Sequence, residues 1–210
     1  PLRRTLLKNS KLYLILDRAV HDYSRLFQIA QDAMTAGVDI IQLRDKTGQA
    51  RDVLRFARQL SELTRGQILF IVNDRADIAY LAEADGVHLG QEDLPVADAR
   101  RLLGKHALIG ASCQNTRHVE RAVAQGADYI GFGSVFKTQT KPDREPMDLR
   151  RLETVVRDVP IPLFGIGGIT FDHLQRLKAC GCRRVAVCRA VCQASDVGQA
   201  VNQLKKALEA

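Results

Sequence analysis

Asp74 comes right after the apolar run Leu69-Phe70-Ile71-Val72, separated from it by Asn73 alone, and Asp93 falls a few residues after Gly86-Val87-His88-Leu89. Carboxylates delivered side by side at the ends of neighbouring strands suit a hard divalent cation. Mg²⁺ in particular is commonly held by one or two protein carboxylates together with substrate phosphates. Arg44, Lys46 and Lys141 also trail apolar runs. Together these residues predict a site for Mg²⁺ and a polyphosphate.

Other polar residues fall at equivalent places. Gln42 and Arg44 are two apart, which puts both on one side of a strand. An inward-facing Arg needs a counter-charge, and two readings stay open for it: an internal ion pair, for instance with Asp74, or a bound anion. Asn73 is placed to hydrogen-bond a substrate ring or phosphate. Asp77 suits the start of a helix, where the dipole favours a carboxylate. Asp93 has a second reading, as a cap on the helix beginning near Val96. His88 lies within its run and reads as a hydrogen-bonded core residue. Ser112 can meet a phosphate or amine; with no His near it in sequence, no hydrolase triad is expected. The hydroxyl- and lysine-rich stretch from Ser134 to Lys141 suits a phosphate, and the polar segment 141–146 reads as a mobile lid. In Gly165-Ile166-Gly167-Gly168-Ile169, adjacent glycines let backbone N–H groups approach an anion.

These residues must be positioned by regular elements, and the hydrophobic pattern supplies them. Eight short apolar runs, at 12–16, 40–43, 68–72, 86–89, 108–111, 129–133, 162–166 and 184–188, show little polar alternation. That is the pattern of parallel strands buried on both faces. Helical patterns separate them at 23–36, 50–63, 78–84, 96–103, 116–125, 148–157, 170–179 and 197–208, and Gly37, Gly126 and Gly181 stop three of these. Eight strand–helix repeats predict a single (β/α)₈ TIM barrel spanning 1–210, with residues 1–11 as an extension ahead of the first strand. An open doubly wound sheet is the alternative, but no Gly-x-Gly-x-x-Gly follows the first run. In such barrels the strands' C-terminal ends carry the site, and the last two strands commonly bind phosphate. That brings Cys188 and Arg189 into the candidate set.

Bulk composition narrows the function class. The 210 residues suit one full core. The net charge of +7 calls for an anionic partner or a solvated basic surface. Aromatics make up only 5% and there is no Trp, which argues against a stacking platform for nucleic acid. Most of the charge, including Arg3, Arg4, Lys8, Lys11, Lys205 and Lys206, reads as helix surface. No apolar run reaches membrane-spanning length, and the basic start lacks the apolar stretch of a secretory signal. Five cysteines, an odd number, point to a reducing, cytoplasmic setting without a disulfide framework. Cys180-Gly181-Cys182 is one residue too tight for the usual zinc pair, so the cysteines read as small buried hydrophobes.

Several strings resemble the thiamine-phosphate synthase (thiamin phosphate pyrophosphorylase) family: Gln42-Leu43-Arg44-Asp45-Lys46, Asn73-Asp74-Arg75, the run from Asp85 through Gln91-Glu92-Asp93 to Pro95, Thr138-Gln139-Thr140-Lys141, and Gly165 to Ile169. The resemblance runs from Leu12 to about Cys192. It implies an Mg²⁺-dependent enzyme that joins hydroxymethylpyrimidine diphosphate to hydroxyethylthiazole phosphate and releases pyrophosphate. It would give Asp74 and Asp93 the metal. Gln42, Arg44, Lys46, Asn73, Ser112 and Lys141 would hold the pyrimidine diphosphate, with Arg44, Lys46, Ser112 and Lys141 as the catalytic set. Thr138, Thr140, Gly168, Cys188 and Arg189 would hold the thiazole phosphate. The partners implied are small phosphorylated molecules, without nucleic acid or membrane, and a homo-oligomer is compatible with the sequence. The chain departs from the family pattern at Ser112-Cys113-Gln114, Gly133-Ser134, Lys137 and Arg189. Two alternatives are a thiazole tautomerase, which uses a His where this chain has Gln114, and a non-catalytic phosphate-binding barrel.

Overall fold

A computed structural model describes residues 2–139 and 145–210. Eight parallel strands close on themselves in sequence order: β1 Leu12–Asp17, β2 Ile40–Arg44, β3 Leu69–Asn73, β4 Gly86–Leu89, β5 Leu108–Cys113, β6 Tyr129–Phe132, β7 Leu163–Ile166 and β8 Val185–Val187. β1 pairs with both β2 and β8, which excludes the open sheet. Helices α2 Tyr23–Thr35, α3 Ala50–Thr64, α4 Ala76–Leu81, α5 Val96–Leu103, α6 Thr116–Ala124, α7 Leu149–Asp158, α8 Leu174–Ala179 and α10 Val197–Glu209 form the outer ring, and a short α9, Arg189–Cys192, precedes α10. The expected helix at 78–84 runs instead from Ala76 to Leu81, and the chain leaves it through Glu83 at φ 54°. No helix among the described residues is long and apolar enough to cross a membrane.

Alternation along each strand divides the apolar residues into two sets. Leu12, Leu14 and Leu16 of β1 face the helices, whereas Tyr13 and Ile15 face the barrel interior. Ile40, Ile71, Leu108, Tyr129 and Phe164 fill the same interior. The rings of Tyr13 and Tyr129 both meet Phe164 edge-on, at 5.4 and 5.8 Å between centroids. This packed middle layer closes the barrel as a channel and leaves only its mouths for function.

The stretch read as an extension holds a helix, α1, Leu2–Asn9. It lies across the N-terminal mouth with Leu7 packed into the interior cluster. Arg3 donates to Asp85 at 2.6 Å and Arg4 to Asp128 at 3.1 Å, so two charges expected on open surface fasten this helix. Three aspartates just ahead of even-numbered strands repeat one device. Asp39 accepts from the backbone N–H of Leu12, Asp85 from Phe70 and Asp128 from Ile109, satisfying the start of the preceding strand each time.

Candidate active site at the C-terminal mouth

The inward-facing positions that are apolar in mid-barrel become polar at the strand ends, and they converge there. A cavity of about 330 Å³ opens at this mouth, walled by Gln42, Arg44, Asn73, Ser112, Thr138, Gly168, Cys188 and Arg189 among others. The sequence therefore named residues that share one space. Thr140 and Lys141, with most of the expected lid, lie outside the described residues.

The acidic pair forms on one lip. Asp74 leaves β3 at φ 62°, a left-handed conformation that costs a non-glycine residue strain. Its N–H is held by the His88 carbonyl at 2.8 Å. Asp93 turns back to accept from the Gly90 N–H at 2.6 Å, and α5 takes no side-chain cap, so the capping reading fails. Burial raises the Asp93 carboxyl above the usual carboxylate range, and a hydrogen bond with Asp74 raises it further. Lys46 Nζ lies 2.6 Å from Asp74. Among the described residues no group of three or more His, Cys, Asp or Glu gathers as a metal site. Asp77, as expected, sits in the first turn of α4, where it also pairs with Arg75.

Arg44 resolves its two readings through a residue the sequence analysis passed over. Its partner is Asp17, not Asp74. Arg44 Nη1 stands 2.7 Å from Asp17 Oδ2, with side-chain exposures of 14% and 3%. Asp17 ends β1 in register with Arg44, so the signal was present: it is the acidic residue at the one strand end left unexamined.

The interior also corrects the expectation for Ser112. His88 Nε2 lies 2.9 Å from Ser112 Oγ. The two are 24 apart in sequence and meet because β4 and β5 are neighbours. His88 Nδ1 faces the Tyr129 hydroxyl at 3.1 Å, where a hydrolase triad would place a carboxylate. His88 is buried and hydrogen-bonded, as expected of a core residue.

The opposite lip is glycine-lined. Gly167 and Gly168 have φ of 105° and 62°, and a Cβ on Gly168 would collide with the Lys137 carbonyl. The β6 loop runs along this edge, with the N–H groups of Val135 and Phe136 donating to the Ile166 and Gly167 carbonyls at 2.9 Å. The Phe136 ring stacks on His173 at 3.8 Å, pinning the loop to the segment after β7. Arg189 opens α9, and its Nε is buried without a hydrogen-bond partner. All five cysteines are free thiols, three of them buried: Cys113, Cys182 and Cys192.

Fold and mouth together define a (β/α)₈ barrel whose strand ends gather polar and charged side chains around one cavity. The thiamine monophosphate synthase family (TMP-TENI) matches residues 12–191. The chain belongs to that family. It is 45% identical over 204 residues to a thiamine-phosphate synthase of Synechococcus sp. (strain WH7803), covering 96% of this chain and 58% of that protein. It is 37% identical over 201 residues to the thiamine-phosphate synthase of Fusobacterium nucleatum, covering 95% of this chain and 98% of that one. The chain thus spans little more than half of the cyanobacterial relative and nearly all of the other. A thiamine phosphate pyrophosphorylase from Pyrococcus furiosus superposes with a TM-score of 0.87 at 36% identity, over 98% of this chain and 97% of that one. A 3-hexulose-6-phosphate synthase, 18% identical with a TM-score of 0.75, shares the fold.

Proposed function

We propose that this chain is a thiamine-phosphate synthase. It would join the aminopyrimidine of hydroxymethylpyrimidine diphosphate to the nitrogen of hydroxyethylthiazole phosphate, releasing pyrophosphate. The observation that carries the reading is a single cavity lined by Gln42, Arg44 and Asn73 on one side and by Gly167, Gly168 and Arg189 on the other, with the paired Lys46 and Asp74 following directly on the Arg44 and Asn73 strand ends. Its volume of about 330 Å³ lies within the range of small-molecule sites.

The acidic pair fits Mg²⁺. Two carboxyls in contact, one of them pushed toward protonation by burial and then by the other, suit a site that takes up positive charge. Asp74 and Asp93 would hold the ion, with diphosphate oxygens and water as the remaining ligands. Bound there, Mg²⁺ would supply charge neutralisation for the leaving diphosphate.

The protein's own groups do the rest. Arg44 and Lys46, with Lys141 from the β6 loop, stabilise negative charge that grows on pyrophosphate as the carbon–oxygen bond lengthens. The pyrimidine carries the opposing positive charge through its own amino group. Gln42, Asn73 and Ser112 hold that ring. The Gly167–Gly168 backbone, Thr138, Thr140, Cys188 and Arg189 place the thiazole phosphate so that its ring nitrogen faces the reacting carbon. No protein nucleophile is required, in keeping with a His88 Nδ1 that faces the Tyr129 hydroxyl.

Incubation with both substrates and Mg²⁺, read by mass spectrometry, tests this. Thiamine phosphate that disappears with EDTA is the expected result. No product, with Mg²⁺-dependent pyrophosphate binding retained, would replace the synthase by a non-catalytic phosphate-binding barrel.

A further inference from the structure

A chain of hydrogen bonds crosses the barrel interior beneath the cavity, and its three middle members, Tyr13, Tyr129 and His88, have no part in the reaction as described above. Gln42 Nε2 donates to the Tyr13 hydroxyl at 2.7 Å. The Tyr13 and Tyr129 hydroxyls are 2.9 Å apart. Tyr129 meets His88 Nδ1 at 3.1 Å, and His88 Nε2 meets Ser112 Oγ at 2.9 Å. Gln42 and Ser112, the two ends, both line the cavity, from strands on opposite sides of the barrel. The space is built for the rings. A Cβ on Gly110 would collide with Tyr129, and one on Gly131 would press within 3.0 Å of His88.

With Gln42 as the donor at one end, a single direction can run through every bond. Burial pushes both phenols above their ordinary range, so each keeps one proton to donate. Tyr13 accepts from Gln42 and, in this direction, gives its own proton to Tyr129. The Tyr129 proton then goes to His88 Nδ1. A neutral imidazole accepting at Nδ1 carries its proton on Nε2 and donates it to Ser112. The Ser112 hydroxyl proton is thereby turned into the cavity, while Gln42 keeps its carbonyl oxygen as an acceptor on the far wall.

We propose that Tyr13, Tyr129 and His88 are positioning residues whose one-way hydrogen-bond chain presents Ser112 as a donor and Gln42 as an acceptor to the aminopyrimidine ring. A ring nitrogen at one edge and an exocyclic amino group at the other match that pair. Reversing the chain would leave an acceptor facing the ring nitrogen. The inference rests on the synthase reading for its ligand, but not for its proton arrangement.

The test uses the full chain with ¹⁵N-labelled histidine. Wild-type His88 is expected to show an unprotonated Nδ1 and a protonated Nε2, with its resonances identified by their loss in His88→Gln. Tyr129→Phe should abolish that preference; Tyr13→Phe, which breaks the same chain one bond earlier, serves if the first variant fails to fold by circular dichroism. Calorimetry should show the pyrimidine diphosphate bound on the order of tenfold more weakly by either variant, with thiazole phosphate affinity unchanged. His88→Gln, which keeps an amide donor near Ser112, should bind better than His88→Leu. A proton on Nδ1 in the wild type, or equal losses for both ligands, would overturn the proposal. Absent turnover in a wild type with the expected tautomer would instead sink the synthase reading alone.

Discussion

Asp17→Asn isolates the charge at the centre of the basic lip. Asn keeps the shape of Asp17 and can still accept from the Ala19 N–H, bonded at 3.0 Å in the wild type. What it removes is the countercharge 2.7 Å from Arg44. Asp74 cannot substitute, because Lys46 already holds it. A guanidinium only 14% exposed is then left unpaired. Removing one partner of a buried ion pair costs roughly 3–5 kcal/mol, and the retained hydrogen bond and residual exposure of Arg44 place this case near about 3 kcal/mol. For a chain of 210 residues that corresponds to a melting temperature lower by roughly 6–12 °C, at about 2–4 °C per kcal/mol. Thermal unfolding followed by circular dichroism measures it. Pyrophosphate with Mg²⁺ should then raise the variant's melting temperature more than the wild type's, because the anion replaces the missing charge. A variant that melts within 2 °C of wild type, or gains no more from pyrophosphate, would refute the view of Asp17 as the resident counter-ion of an anion-binding Arg44.

Asp93→Ala should abolish Mg²⁺-dependent product formation by mass spectrometry while circular dichroism stays native; near-wild-type turnover would remove Asp93 from the metal site. Gly168→Val puts a branched side chain at φ 62° and against the Lys137 carbonyl. The backbone strain alone costs about 1–2 kcal/mol, and thiazole phosphate binding by calorimetry should weaken while pyrimidine diphosphate binding persists. Leu7→Ala should lower stability to urea by about 2–5 kcal/mol and leave kcat unchanged, since Leu7 lies at the mouth opposite the cavity.

The strands were legible because burial on both faces leaves a run such as Leu69-Phe70-Ile71-Val72 with no polar alternation. The strand-end rule then gathered Gln42, Arg44, Asn73 and Ser112 into one cavity wall without any knowledge of distance. Partnership was not legible. Asp17 stands at a strand end, but that it meets Arg44, or that His88 meets Ser112, follows from strand register and inward direction, which local sequence does not record. The helix Leu2–Asn9 escaped notice for a different reason. Two turns without an acidic first turn have little stability of their own, and this helix exists because Leu7 finds a hole to fill and Arg3 and Arg4 find aspartates.

Those aspartates lie 82 and 124 residues further along the chain. Closing such long loops before the strands between them have paired gains little, so the plug is expected to seat late, on a barrel already assembled through β6. Interactions formed after the rate-limiting step leave the folding rate alone and govern escape from the native state. The helix beneath the barrel therefore acts as a latch on lifetime: loosening it shortens the time the molecule stays folded, not the speed with which it folds.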